Sequence, residues 1–212
     1  MSEYGIDELI FKVEELIDKS KGMSVFDYQY WKGLGGRRIL LFGEIGPSTV
    51  EEVIIPLMDM DDGSGKEIEL LVDSGGGDIM TLFELIDVLD AIKTPVHIKV
   101  LTKACSAALL LLLGGKHNPN VRTSCSLNSV GLVHAGSTTL GTMDSNAASD
   151  VMSFLKRYDN KIKDLILKRS KVDAKLYAKM AKKEWYMFGD ELLKYGFVDA
   201  LENHAEGGEG ND

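Results

Sequence analysis

The chain has 212 residues, 44% of them hydrophobic and 27% charged, enough to bury the core of one domain. A formal net charge of −9 excludes the basic footprint with which nucleic-acid binders neutralise phosphate. Two cysteines give no disulfide framework, no apolar run reaches the about eighteen residues of a membrane span, and Met1 to Gly5 lacks the basic-then-apolar layout of a signal peptide. Neither nucleic acid nor membrane is expected as a partner, and the expected location is the cytoplasm.

Ile6, Leu9, Ile10, Val13, Leu16 and Ile17 recur at helical spacing, so an amphipathic helix is predicted over 6–19, stopped at Ser20-Lys21-Gly22. It belongs to an N-terminal extension, 1–36. A first core strand is predicted from Arg37 to Ile45. Ser48 is expected to cap a helix through Asp59, with Glu51 three residues on as in a capping box, and Asp61 to Gly65 is a loop. The apolar run Ile68 to Val72 reads as a strand closed by Ser74-Gly75-Gly76-Gly77, followed by a helix from Ile79 to Ile92. Thr94-Pro95 breaks into a second apolar strand, Val96 to Leu101. Ala104-Cys105-Ser106-Ala107-Ala108 closes that strand and opens the very apolar segment Leu109 to Leu113.

Further along, Val130 to Val133 reads as a strand and Thr139 to Gly141 as a turn before a long helix, about Asp144 to Lys171. Its apolar positions Val151, Phe154, Leu155, Tyr158, Ile162, Leu165 and Ile166 recur at three and four residues, so one side must be buried. The tail, 202–212, is acidic, glycine-rich and expected to be disordered. Strands alternating with helices make the fold class α/β.

Two strand-to-helix turns, at Gly75 to Gly77 and at Ser106, carry the chemistry. In a parallel sheet such turns lie together at the carboxyl ends of the strands, where open α/β sheets place their sites, so Gly77 and Ser106 are expected to face one bound carbonyl. A serine hydroxyl needs a base to take its proton, and the oxyanion formed needs backbone N–H donors aimed at it. The N–H groups of Gly77 and of Ala107, directly after the serine, are the natural pair.

Of the four histidines, His97 alternates with apolar neighbours in Val96-His97-Ile98-Lys99-Val100 and reads as an ordinary strand residue. His117 lies in the loop Gly114 to Asn120 and His204 in the acidic tail. His134 ends the run Val130 to Val133 and emerges into the flexible Ala135-Gly136-Ser137, the best place for a base.

These motifs, in this order and spacing, resemble the proteolytic subunit of the Clp protease (ClpP), a family of serine peptidases with the ClpP/crotonase fold. Arg37 to Ile45 is similar to the family's first core strand, Ser74 to Ile79 to its Ser-Pro-Gly-Gly turn and Ala104 to Ala108 to its nucleophile turn. Leu132-Val133-His134 is similar to its histidine strand, and Tyr195-Gly196-Phe197-Val198-Asp199 to the Tyr-Gly-Leu-Val-Asp near its end. The interval from Gly77 to Ser106 fits without a gap; that from Ser106 to His134 carries a short insertion near His117 to Asn120. The resemblance implies repeated ββα units over a peptidase domain, 37–201, with a protruding handle at about 137–171. It implies Ser106 as nucleophile and His134 as general base. The family's aspartate falls on Glu184, so the third member is a glutamate here, a carboxylate that serves the same role in hydrolases of other folds. Asp173 and Asp190 are held in reserve.

The resemblance further implies stacked seven-membered rings, a tetradecamer of one subunit enclosing a chamber, fed with unfolded polypeptides by a separate ATP-driven (AAA+) unfoldase. Where the family commonly has aromatic residues that take up unfoldase loops, this chain has Glu69 and Leu71, so the usual docking is in doubt. No cofactor or metal is implied. Gly114-Gly115-Lys116 lacks the upstream glycine and following Ser/Thr of a phosphate loop, Gly75 to Gly77 lacks dinucleotide-site spacing, and Ser106 is not in Gly-x-Ser-x-Gly. Cys105 and Cys125 lack metal-ligand spacing, and Cys105 reads as a small buried packing residue. Lys161-Ile162-Lys163 and Lys168-Arg169-Ser170-Lys171 read as a solvated helix face. The alternatives are a non-catalytic ring subunit of the same fold and a crotonase-type acyl-CoA enzyme, which has no need of Ser106 with His134.

Overall fold

The computed structural model describes residues 24–134 and 144–202; the expected helix over 6–19, the turn at Thr139 to Gly141 and the tail beyond Glu202 lie outside them. The first described element is a helix that was not foreseen, α1 (Val25–Gly35). Its signal is Ser24-x-x-Asp27: the Ser24 hydroxyl accepts from the Asp27 N–H at 3.1 Å and the Asp27 carboxylate accepts from the Ser24 N–H at 2.9 Å. No α1 residue is buried.

β1 (Arg38–Ile45) leads into a helical run, α2, made of Pro47–Thr49, a wider π-type turn Val50–Ile54, and Ile55–Met60. The expected Ser48 cap is corrected: Gly46 is the cap, Thr49 Oγ1 accepts from the Gly46 N–H at 3.0 Å, and Ser48 lies inside the helix. Pro47 decides this, because its fixed φ and missing N–H suit the first helical position. β2 (Ile68–Gly77), α3 (Ile79–Ala91), β3 (Val96–Cys105) and the short α4 (Ala107–Leu111) follow. β4 (Val121–Cys125), β5 (Val130–Val133), α5 (Ser145–Arg169), α6 (Ala174–Met180), β6 (Trp185–Phe188), α7 (Gly189–Lys194) and β7 (Ala200–Leu201) complete the order.

The described strands form one sheet in the order β1-β2-β3-β4-β7, with β5 pairing the far end of β3 and β6 pairing β5. All pairings are parallel except β5 with β6. β3 is shared in succession: Val96 to Val100 pairs β4, and Lys103 to Cys105 pairs β5. Between them the chain turns at Ser126 to Ser129, where Ser129 Oγ accepts the Ser126 N–H and reaches the Leu101 carbonyl.

α3 and α4 pack on one sheet face. Leu82, Leu85 and Leu89 share one buried core with Ile68, Leu70, Val72, Ile98 and Val100, and Leu109 to Leu113 are buried without exception. A helix buried all round has no amphipathic pattern, and each leucine contributes about 2 kcal/mol of transfer free energy. α5 behaves oppositely. It buries Leu165 and Ile166 near its end, while Val151 and Leu155 are only partly buried and Met152 and Phe154 stand nearly half exposed, so the apolar side of its first half is incompletely covered within the described chain. No described helix is long and apolar enough to cross a membrane.

Candidate active site

Register alone brings the expected site residues together. Cys105 pairs with Leu132 across β3 and β5, and the Ser106 N–H donates to the Leu132 carbonyl at 2.8 Å. Ser106 and His134 therefore leave the carboxyl ends of two neighbouring parallel strands. On the other side of β5, Val133 pairs with Trp185 in the antiparallel ladder. One step further faces His134 with Glu184, and His134 Nδ1 stands 3.6 Å from Glu184 Oε1. The His134 side chain is largely covered and that of Glu184 is mostly open to solvent.

Ser106 sits at φ 54°, ψ −125°, a region that L residues avoid. Holding it there costs about 1–3 kcal/mol, and the surrounding pairing sustains it. The strain turns the chain sharply from β3 into α4, and the Ser106 side chain makes no capping bond to that helix, so the hydroxyl is not spent on the helix it precedes. Ala107 is the first α4 residue, and its N–H has no intrahelical acceptor.

The glycine turn closes over this point. Gly76 (φ +98°) lies directly against it: a Cβ there would come within 2.6 Å of the Cys105 carbonyl and 2.9 Å of the Ala107 nitrogen. Gly77 (φ +147°) packs its Cα against β1, where it pairs with Ile45 and a Cβ would clash with the Ile45 carbonyl; that carbonyl accepts from the Asp78 N–H at 2.8 Å, so the Gly77 N–H is not used in the pairing with β1. Ser74 sets the turn by donating to the Gly43 carbonyl and accepting the Gly76 N–H at 3.1 Å. Ser74 and Gly76 stand in the turn read from the sequence, but their separate roles were not legible there, because nothing local distinguishes them from the neighbouring small residues.

The other candidates are placed elsewhere. His97 is buried, its Nε2 2.6 Å from Ser124 Oγ, which in turn donates to Glu202 at 2.7 Å. A hydroxyl has one proton, so the ring must donate through Nε2. His117 lies on an exposed loop, and His204 is outside the described residues. Asp173 is spent as the cap of α6, accepting from the Leu176 N–H at 2.7 Å. Asp190 is exposed in the first turn of α7. Cys105 is partly exposed rather than buried, and burial of its thiol still raises its pKa; Cys125 is pushed up to about 11, by burial first and then by Glu202. Both thiols are thereby kept un-ionised and poorly nucleophilic.

Glu69 and Lys99, on the sheet face away from α3, are engaged in ion pairs. Arg38 Nε contacts Glu69 Oε2 at 2.5 Å, and Lys99 Nζ lies 2.8 Å from Glu202 Oε2. Leu71 lies between them in register, opposite Leu40 and Lys99.

The family model described as Clp protease matches residues 20–205. The chain is similar to an ATP-dependent Clp protease proteolytic subunit of Streptococcus mutans, 27% identical over 190 residues, covering 88% of this chain and 94% of that one. It is similar to proteolytic subunit 2 of Treponema pallidum, 27% identical over 189 residues with 89% and 92% covered. Subunit 1 of Borreliella burgdorferi is 28% identical over 180 residues, with 84% and 89% covered. A parallel α/β sheet with strand-end turns at Gly76 and Ser106, matched over nearly its whole length, makes this chain a member of the Clp protease family.

Proposed function

We propose that the chain is a serine endopeptidase subunit in which Ser106 is the nucleophile, His134 the general base and then acid, and Glu184 the carboxylate that orients the imidazole. The observation that carries this reading is the His134–Glu184 contact, set by the same strand whose end lies beside Ser106. Glu184 faces Nδ1 at 3.6 Å, and on closing to hydrogen-bond distance in the substrate complex it accepts from Nδ1–H, which leaves Nε2 free to take the Ser106 proton as Oγ attacks a peptide carbonyl. The carbonyl oxygen becomes an oxyanion held by the N–H groups of Gly77 and Ala107. His134 then returns the proton to the leaving amine, and water, activated by the same ring, releases the acyl group from Ser106.

Support for the wider reading comes from the relatives, whose names describe ATP-dependent proteolytic subunits. Rings of this subunit enclose a chamber; the incompletely covered apolar side of α5 is the surface through which facing rings meet. A separate AAA+ ATPase unfolds and threads the substrates. Its docking surface here is polar around Glu69 and Lys99, both already ion-paired, so an apolar docking loop is a poor match. The cytoplasm is the proposed setting.

The test is a fluorophosphonate probe on the purified chain, repeated with Ser106→Ala and His134→Ala. Labelling is expected in the wild type, with none in Ser106→Ala and little in His134→Ala. Labelling that persists in Ser106→Ala would overturn the assignment.

A further inference from the structure

Two motifs take no part in the peptidase reading, Gly114-Gly115-Lys116-His117 and Lys168-Arg169-Ser170-Lys171. The fold brings them together on an open groove of about 380 Å³. It lies at the amino end of the sheet, where Val96 pairs with Val121, the opposite end of β3 from Ser106. Four cations, Lys116, Lys168, Arg169 and Lys171, border it; Asp199 lines it with them, and Asp90 and Asp164 pair Arg169 and Lys168, which leaves one positive charge in excess in a chain whose net charge is −9.

Helix polarity explains part of this concentration. Lys168 and Arg169 occupy the last turn of α5, where cations are favoured. It does not explain Lys116 and His117, which come from a separate loop fixed by Asn118 Nδ2 donating to the carbonyls of Leu89 and Ile92.

Three of the cations are ion-paired: Lys168 Nζ lies 3.0 Å from Asp164 Oδ2 one helical turn away on an exposed face, and the other two are locked in place by less exposed contacts. Arg169 grips Asp90 through both carboxylate oxygens, at 2.6 and 2.7 Å, and reaches the Leu113 carbonyl at 3.3 Å. Lys116 Nζ contacts Asp199 Oδ1 and lies 3.3 Å from Thr123 Oγ1. Neither lock exhausts the donors, since a guanidinium has five N–H groups and an ammonium three. Both side chains are less than one-fifth exposed, which strengthens the charge-assisted bonds their remaining donors can form. Asp199 stays ionised: burial opposes that, but Lys116 and Thr123 hold its carboxyl below the usual range, and Lys116 offsets its charge.

Lys171 and His117 have no ion-pair or hydrogen-bond partner for their side chains among the described residues, and both are exposed. The stem of Lys171 is nonetheless positioned. Its N–H donates to the Tyr195 carbonyl at 2.8 Å, and its Cγ lies 3.0 Å from where a Cβ on Gly196 (φ +75°) would stand.

We propose that this groove binds a small phosphate-bearing anion, held by Lys171, His117 and the spare donors of Lys116 and Arg169. Donors that converge from two walls suit a tetrahedral dianion better than a planar monocarboxylate, and the volume admits a diphosphate or a phosphate monoester. Free phosphate and a phosphate ester share this chemistry.

The full chain is titrated with inorganic phosphate, pyrophosphate and acetate at constant ionic strength, by calorimetry and by thermal unfolding. Saturable binding of phosphate or pyrophosphate is expected, with Tm rising as the logarithm of ligand concentration. Pyrophosphate binding far more tightly than phosphate identifies an esterified or diphosphate ligand; equal affinity identifies free phosphate. Lys171→Glu and His117→Ala, both exposed, should unfold like the wild type without ligand yet bind about tenfold more weakly. Binding in Ser106→Ala should be unchanged, which separates this proposal from the peptidase reading. It is overturned if phosphate and pyrophosphate do not saturate, if acetate raises Tm as much as they do, or if both variants bind like the wild type.

Discussion

The Cα of Gly76 sits so close to Ser106 that a methyl group on it would lie 2.7 Å from the Ser106 Cβ. The two strand-end turns are thus a single packed unit, and the missing side chain at 76 is what lets the main chain close over the serine.

Gly76→Ala should therefore cost about 2–3 kcal/mol, from the clash and from φ +98° together. Fluorophosphonate labelling should be lost with it. Gly75→Ala has nothing within 4 Å of the added methyl and should change neither the urea midpoint nor the labelling. Equal stability of the two variants would show that the turns do not depend on this contact.

At φ 54°, ψ −125°, Ser106 holds a conformation that glycine adopts without strain and alanine does not. Ser106→Gly should be more stable than Ser106→Ala by about 1–2 kcal/mol, about 2–8 °C in Tm for a chain of this size. Calorimetry on both purified variants decides the point. Neither should take up the probe.

The reach of Glu184 is set by one antiparallel register step beyond Val133 and Trp185. Glu184→Gln keeps the length but removes the charge that stabilises imidazolium, and should lower the labelling rate about a hundredfold or more. Glu184→Asp keeps the charge and shortens the arm, and should lose about tenfold. Single-turnover labelling rates measure both; a rate in Glu184→Gln equal to the wild type would point to a different orienting acid.

His97 gives a pH prediction away from the site. Burial of the ring, then the nearby Arg122 and Lys99, lower its pKa, against Glu67 and Glu202, which raise it. Between the folded value and the ordinary 6.5, the unfolded chain holds a proton that the folded chain does not. Stability from this residue is therefore full above pH 6.5 and falls as the pH drops from there toward the folded value. In His97→Gln, which keeps a donor for Ser124, the urea midpoint should change less between pH 7.5 and 5.5 than in the wild type.

Much of the fold was legible because its signals are local. The apolar runs at Ile68, Val96 and Val130 became β2, β3 and β5, and the spacing in 144–171 became α5. The missed α1 is carried by a two-residue cap, Ser24 with Asp27, rather than by a buried stripe. At Ser48, a residue type favoured at caps stood beside a proline that fixed the helix start two residues earlier, with Gly46 as the cap.

Composition and periodicity by themselves determined a parallel α/β chain with small residues at two strand ends and a histidine at a third, because these follow from spacing along one segment. Which residues meet was decided only by tertiary pairing. β3 passes from β4 to β5 partway along its length, and that hand-over, fixed by the buried turn at Ser129, puts Ser106 beside the strand that carries His134. The same holds for the groove between Lys116 and Lys171: each cation is plain in the sequence, but their convergence exists only once a buried core has folded the two segments to one end of the sheet.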